Sequence, residues 1–426
     1  MAAFHVIFVT LFLSLVYAFP ASLVSGDTKT NSGFSVEVVR NPDHVRNGPA
    51  EYARALAKHG GQRLRGSNSF LAAGPSDNLP ATALQYDREW VCTVGFGTPR
   101  QNLSMILDTG SSDVWAFSQE FNENHDTPHH AFNPQLSTSV VPVPNSSFQV
   151  GYGDGSYANG TVALDTITLG DVIIPGATIE LATNAADGLA NDLTTDGIFG
   201  LAYNFTNQIS PRALPTVVSM LYKLIPAPLF TADLSHHNEG GYGYTFGYIE
   251  LGAYTGDIHW TPVISDTTQD PQLRGFWSVD FSTLRVGATR FNLDISASTP
   301  RSAIVDTGTS LLLMPRYIVN QYYAMAPGAV QQDEHWIFPC AVHVPDFHIA
   351  FAGTDKGVWE ATIPGKYINF SPYAPDNDTW CYGGIQNAPD DWTYSLFGDT
   401  FLKSVYAVFD YGAKRVGFAS KNLDLS

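Results

Sequence analysis

Two aspartates carry the chemistry this chain could do. Asp108 sits in ILDTGSSDVW and Asp306 in AIVDTGTSLLL, and each ends an apolar run that should be buried. A buried carboxylate is costly unless something holds it. A bland turn would explain one such motif, but the repeat continues. IFGLA, opening on Ile198, places Gly200 92 residues after Asp108, and LFGDT places Gly398 92 residues after Asp306. Equal spacing of two paired elements points to two equivalent halves, each delivering one carboxylate to a shared cleft. Two carboxyls in hydrogen-bonding range cannot both ionise, so they share a proton. One member can then take a proton from water while the other donates to a carbonyl oxygen. In this reading Thr109 and Thr307 bond across the junction, Gly110 and Gly308 let backbone N–H groups approach the carboxylates, and Ser111 and Thr309 bond the outer oxygens.

The elements that must position these groups are short strands. Beyond residue 85 the chain alternates strand-like runs (NLSMIL, TVALDTITLG, RSAIV, VYAVFDY) with turn clusters. The helical patterns are few: 213–224, and a run opening at Pro315. The expectation is a mainly β chain. SFQVGYGDGSYANGTVAL reads as a hairpin with its turn at Gly153-Asp154-Gly155.

Charge and composition exclude several functions. The chain has 426 residues and a formal net charge of −18, so it lacks the Lys/Arg clusters that nucleic acid or an anionic membrane surface requires. Residues 19–80 hold seven Lys/Arg against five Asp/Glu, leaving fifteen against thirty-five beyond them. A slightly basic leader ahead of an acidic body can dock on it electrostatically. GSNSFLAAGPSDNLPA reads as an exposed, cleavable linker. Residues 1–18 resemble a secretory signal peptide with an apolar core from Val6 to Tyr17 but no Lys or Arg ahead of it; an N-terminal anchor is the alternative. Of the three cysteines, Cys340 and Cys381 are expected to pair, and Cys92, in the strand-like EWVCTVGFG, to stay a buried thiol. Sequons fall at Asn102, Asn145, Asn159, Asn204, Asn369 and Asn377, with occupancy hindered at Asn102 and Asn159. HDTPHH, residues 125–130, matches no metal-ligand spacing, so no metal is expected, and no organic cofactor.

The doubled Asp-Thr-Gly-Ser/Thr, the two apolar-apolar-Gly elements and the closing AVFDYGAKRVGFA resemble the pepsin family of aspartic endopeptidases, from about residue 85 to 420, and most closely its secreted fungal branch. Proton sharing between two like-charged carboxyls is the established behaviour of that family's aspartate pair. The resemblance implies a bilobal, mostly antiparallel β fold with an interlobe cleft for an extended polypeptide. It implies lobes over 81–270 and 271–426, a signal peptide over 1–18 and a prosegment over 19–80. Asp108 and Asp306 become the catalytic pair, Trp115 the family's tryptophan after the first motif, and Tyr152 the tyrosine of a mobile flap with Gly153 and Asp154 at its tip. Ile198 joins the substrate-facing wall. EYARALAKHG is similar to the prosegment stretch that threads the cleft, with Lys58 where a lysine meets both aspartates, and His59 where many relatives have Tyr. The implied product is a secreted, monomeric, acid-acting enzyme that prefers large apolar residues at P1 and P1′, with a vacuolar location as the alternative. A glycoside hydrolase, which also uses paired carboxylates, and a pepsin-like binding protein without activity are the rival functions.

Asp154 generates a first prediction. An acid at the flap tip can pair with a basic side chain, so Lys should be accepted at P1. Asp154→Ala should lower cleavage after Lys about tenfold more than cleavage after Phe; equal losses in kcat/KM on the two peptides would refute this.

Overall fold

The computed structural model describes residues 32–40, 46–59, 90–125, 128–151, 157–190, 193, 195–234, 243–291, 301–353, 357–374 and 377–423. The signal-like segment, the linker before residue 90, and Tyr152, Gly153 and Asp154 lie outside them.

The chain is mainly β, as the strand-and-turn pattern implies. Gln101–Asp108 shows why: Leu103, Met105 and Leu107 alternate with polar or cleft-facing residues, so one face enters the core. This strand belongs to a nine-stranded sheet, between Trp90–Phe96 and Gly197–Gly200. Its counterpart, Ser302–Val305, lies in a five-stranded sheet between Ser278–Asp280 and Ser395–Phe397.

The two sheets repeat one pairing scheme. Leu107 pairs in parallel with Phe199, and Val305 in parallel with Phe397. Val114 pairs antiparallel with Phe199, and Leu312 antiparallel with Phe397. Each partner is displaced by the 198 residues that separate Thr109 from Thr307. The sequence repeat is therefore a structural repeat, down to register.

A six-stranded sheet joins the halves. Its order is Phe34–Val36, Gly243–Phe246, Leu229–Asp233, Val405–Asp410, Arg415–Ser420 and Thr255–Pro262. Val405–Asp410 is buried at every position, so it reads as a continuous apolar run and not as an alternation. Phe230 stacks on Phe409 at 4.7 Å, and Phe34 on Phe246 at 5.1 Å. Phe34–Val36 comes from the leader, which is thus built into the body's sheet edge.

The hairpin expected around residue 153 is present in its arms. Val141–Gly151 pairs antiparallel with Tyr157–Leu169, closing at Gly151 and Tyr157. Cys340 and Cys381 form a disulfide between residues 41 apart in sequence. Closing such a loop contributes about 4 kcal/mol on the chain-entropy account. Cys92 is a buried free thiol, pushed up to about 12 by burial, which removes its nucleophilic form.

Candidate active site

The two aspartates leave their strands at the same kind of place. Asp108 ends Gln101–Asp108 opposite Gly200, and Asp306 follows Ser302–Val305 with its N–H bonded to the Phe397 carbonyl at 3.0 Å. Beyond each, the chain turns sharply and the threonines cross over. The Thr109 N–H donates to Thr307 Oγ1 at 3.1 Å, and the Thr307 N–H to Thr109 Oγ1 at 2.9 Å. Each hydroxyl in turn donates a hydrogen bond across the junction: Thr109 to the Val305 carbonyl at 2.8 Å, Thr307 to the Leu107 carbonyl at 2.7 Å. Four buried neutral hydrogen bonds at about 1 kcal/mol each are modest in sum, but leaving any partner unsatisfied costs more. They fix the separation of the two motifs.

Glycine is required beside each carboxyl. A Cβ on Gly110 would lie 2.5 Å from Asp306 Cγ, and one on Gly308 2.4 Å from Asp108 Oδ1. Each motif's glycine thus faces the other motif's acid. The Gly110 N–H donates to Asp108 Oδ1 at 2.8 Å, and the Gly308 N–H to Asp306 Oδ1 at 2.9 Å. The Ser111 hydroxyl donates to Asp108 Oδ2 and the Thr309 hydroxyl to Asp306 Oδ2, the latter at 2.6 Å. The structure therefore brings all six supporting motif residues together around the pair.

The leader fills the space between the carboxyls. Helix Gly48–Lys58 opens on Asn47, whose Oδ1 accepts the Ala50 N–H at 3.2 Å. Its Tyr52 hydroxyl donates to the Asn387 carbonyl at 2.8 Å, and Glu51 accepts from the Ser310 hydroxyl at 3.0 Å. The last turn delivers Lys58, whose Nζ lies 2.5 Å from Asp108 Oδ1 and 2.8 Å from Asp306 Oδ1. His59 Nε2 lies 3.0 Å from Asp306 Oδ2, with the ring packed against Phe276, Trp392 and Tyr394.

Electrostatics split the pair. Burial and the neighbouring Asp306 raise Asp108 above the usual carboxylate range against the pull of Lys58. Burial also pushes Asp306 up, but the Lys58 charge and the His59 contact outweigh it and hold Asp306 well below that range. Lys58 is itself raised: burial disfavours its charge, and the two carboxylates more than restore it.

A cavity of about 410 Å³ runs from Lys58 and Asp108 past Trp115 and Ile198 to Phe205 and Arg274. Trp115 is buried, edge-on to Phe117 at 5.4 Å. Sequence reasoning did not single out a second carboxyl pair in this wall. Asp113 accepts from Asn207 Nδ2 at 2.7 Å and from the Gln208 N–H at 2.9 Å. Burial lifts Asp113 to about 6, and burial with the neighbouring Asp113 holds Glu180 well above the carboxylate range. The signal was there: Glu180 is a lone acid in the apolar run TIELAT, the same anomaly as Asp108.

Two of the HDTPHH histidines stack on rings, His125 on Phe121 and His129 on Phe117, while His130 is exposed. His125 Nδ1 meets the Phe121 carbonyl at 2.9 Å, His129 Nε2 the Ala190 carbonyl at 3.0 Å, and His130 pairs with Asp196 at 3.3 Å. Among the described residues no cluster of three or more His, Cys, Asp or Glu is arranged to hold a metal ion. No helix among them is long and apolar enough to cross a membrane. Among the sequons, Asn145 and Asn204 are exposed, as is Asn102, whose Oδ1 is taken by Arg100 Nε at 2.6 Å. Asn159 is half-buried, and Asn369 has its Oδ1 buried. The Asn377 side chain lies outside the described residues.

Residues 89–421 match the family model described as eukaryotic aspartyl protease. The chain belongs to that family. It is similar to aspergillopepsin-1 of Aspergillus fumigatus, at 35% identity over 392 residues covering 91% of this chain and 92% of the relative. It is also similar to penicillopepsin-3 of Penicillium janthinellum, at 34% over 411 residues covering 96% and 97%. Endothiapepsin of Cryphonectria parasitica matches at 33% over 400 residues, covering 91% and 90%. As a member of the family the chain is an aspartic protease, a peptide hydrolase with the bilobal pepsin-like fold, and its relatives lie in the fungal branch that the motifs resemble.

Proposed function

We propose that this protein is a secreted aspartic endopeptidase, made as a zymogen and active in acid, with Asp108 and Asp306 as its catalytic pair. The observation that carries the reading is a single ammonium nitrogen, Lys58 Nζ, in contact with both carboxyls. Groups that close must share one proton once the lysine leaves. The ionised member then removes a proton from a water lodged between them, and the protonated member donates to the scissile carbonyl. The short bonds from Ser111 and Thr309 hold the outer oxygens, so the inner ones face the reacting atoms. Tyr152, Gly153 and Asp154 serve as the substrate-closing flap in this reading, and Trp115 and Ile198 line the cavity wall. Large apolar residues at P1 and P1′, with Lys tolerated at P1, suit this wall and an acidic tip. The working unit is a monomer with a leader over 19–80 and lobes over 81–270 and 271–426, glycosylated at exposed sequons such as Asn145 and Asn204.

The leader acts as an intramolecular inhibitor set by pH. In its complex with the body, Asp306 is held below its ordinary value and Lys58 above its own. A depressed carboxylate favours the complex above the ordinary carboxylate range, and that stability is lost as pH falls through the depressed value. The raised lysine adds stability that persists through neutral pH. The raised Asp108 acts in the opposite sense, so the complex opens in acid once Asp306 too is protonated and Lys58 has lost its last anionic partner.

Two measurements test these assignments. Acid-activated protein should hydrolyse denatured haemoglobin and be inhibited by pepstatin, and Asp306→Asn should lower the rate by about 10³-fold or more; activity within tenfold of wild type in that variant would refute the catalytic pair. A Lys58→Ala precursor should lose about 3 kcal/mol of leader binding and shed its leader at a pH where the wild-type precursor stays intact. Equal latency of the two precursors near neutral pH would refute the switch.

A further inference from the structure

One charged side chain in the cleft takes no part in the chemistry above. Arg274 follows the short turn Pro271–Leu273 and lines the cavity with Phe205 and Phe276. Its guanidinium carbon lies 4.4 Å from the centroid of the Phe205 ring. Phe205 is 61% exposed, an unusual state for a large aromatic in a cleft wall. A planar cation stacked on a ring is oriented by it and keeps its N–H edge free for a bidentate partner.

The acids in the same turn and on the same cavity have other partners, and Asp391 is exposed. Asp270, in the same turn, accepts from the Gln272 N–H at 2.9 Å and from the Thr393 hydroxyl. Asp391 is exposed, with its backbone carbonyl bonded to Gln272 Nε2 at 3.2 Å. On the same cavity, Asp113 accepts from Asn207 and Gln208, and Asp108 pairs with Lys58. No carboxylate pairs with Arg274 among the described residues. The other cations lining the cavity, Arg54 and Lys58, belong to the leader. Once it departs, Arg274 is the positive group left among the described residues that line this cavity of a strongly acidic body.

We infer that Arg274 is a specificity residue, binding the carboxylate of an Asp or Glu side chain in the peptide substrate. This rests on the reading that the cleft holds an extended peptide. A partly exposed, bidentate guanidinium–carboxylate contact should raise kcat/KM by about five- to tenfold. The substrate carboxylate must be ionised to benefit, so the gain should be present near pH 5 and fade below about 3.5, as a side chain of ordinary value near 4 protonates. Added salt should reduce it as well.

The test is a set of peptides cleaved at one bond, carrying Glu or Gln at each flanking position in turn. They are assayed with the mature wild type, Arg274→Gln and Arg274→Lys at about pH 3 and pH 5. The readout is the Glu/Gln ratio of kcat/KM within each protein. One position should show a ratio of about five or more at pH 5, near one at pH 3, near one in Arg274→Gln at both pH values, and partly restored in Arg274→Lys. A ratio near one throughout in wild type, or one that survives in Arg274→Gln, would overturn the role of Arg274 alone. Failure of wild type to cleave even the neutral peptides would overturn the substrate cleft itself, and this inference with it.

Discussion

Two carboxyl groups buried against each other admit only a few charge states, and the rest of the molecule answers to that constraint. Both can be negative only when a cation stands between them, as Lys58 does; otherwise one must be protonated. The structure gives the two acids nearly matching neighbours: a glycine N–H at 2.8 and 2.9 Å and a hydroxyl on each outer oxygen. The asymmetry comes from the leader, whose His59 touches Asp306 only. A symmetric site with an asymmetric occupant splits the pair while the leader is in place.

Holding that geometry requires two halves that cannot slide. The crossed threonines tie the motifs to each other, while the six-stranded sheet ties the halves through their ends. The leader uses both levels. Its strand Phe34–Val36 extends that sheet, and its helix docks on the C-terminal half through Tyr52 and Glu51. The Lys58 contact is therefore one of three separate attachments of this segment to the body.

Much of this was legible in the sequence, because repeated function leaves repeated spacing. The interval of 92 residues from each aspartate to its glycine reappears as matching parallel pairs, Leu107 with Phe199 and Val305 with Phe397. The strand-like run NLSMIL marked Gln101–Asp108, and the Gly-Asp-Gly turn marked the hairpin arms. The central sheet was less readable, since Val405–Asp410 is buried on both faces and its partners Leu229–Asp233 and Arg415–Ser420 lie at very different distances along the chain. Asp113 and Arg274 were not legible as cleft residues: each has ordinary local context, and only the fold brings them to one cavity. Glu180 was an overlooked anomaly. His59 stood out as a departure from Tyr, but its contact with Asp306 needed the helix's position.

The shared proton is tested most directly by the pH profile of kcat/KM for the active enzyme on a neutral peptide, in an Asp113→Asn/Glu180→Gln background that takes the second carboxyl pair out of the titration. A pair sharing one proton should give a bell with two apparent values that belong to the pair, one clearly below and one clearly above the ordinary carboxylate value of about 4. A single ionisation near 4, with no loss of activity on one side, would mean that the two aspartates titrate independently and would contradict the account.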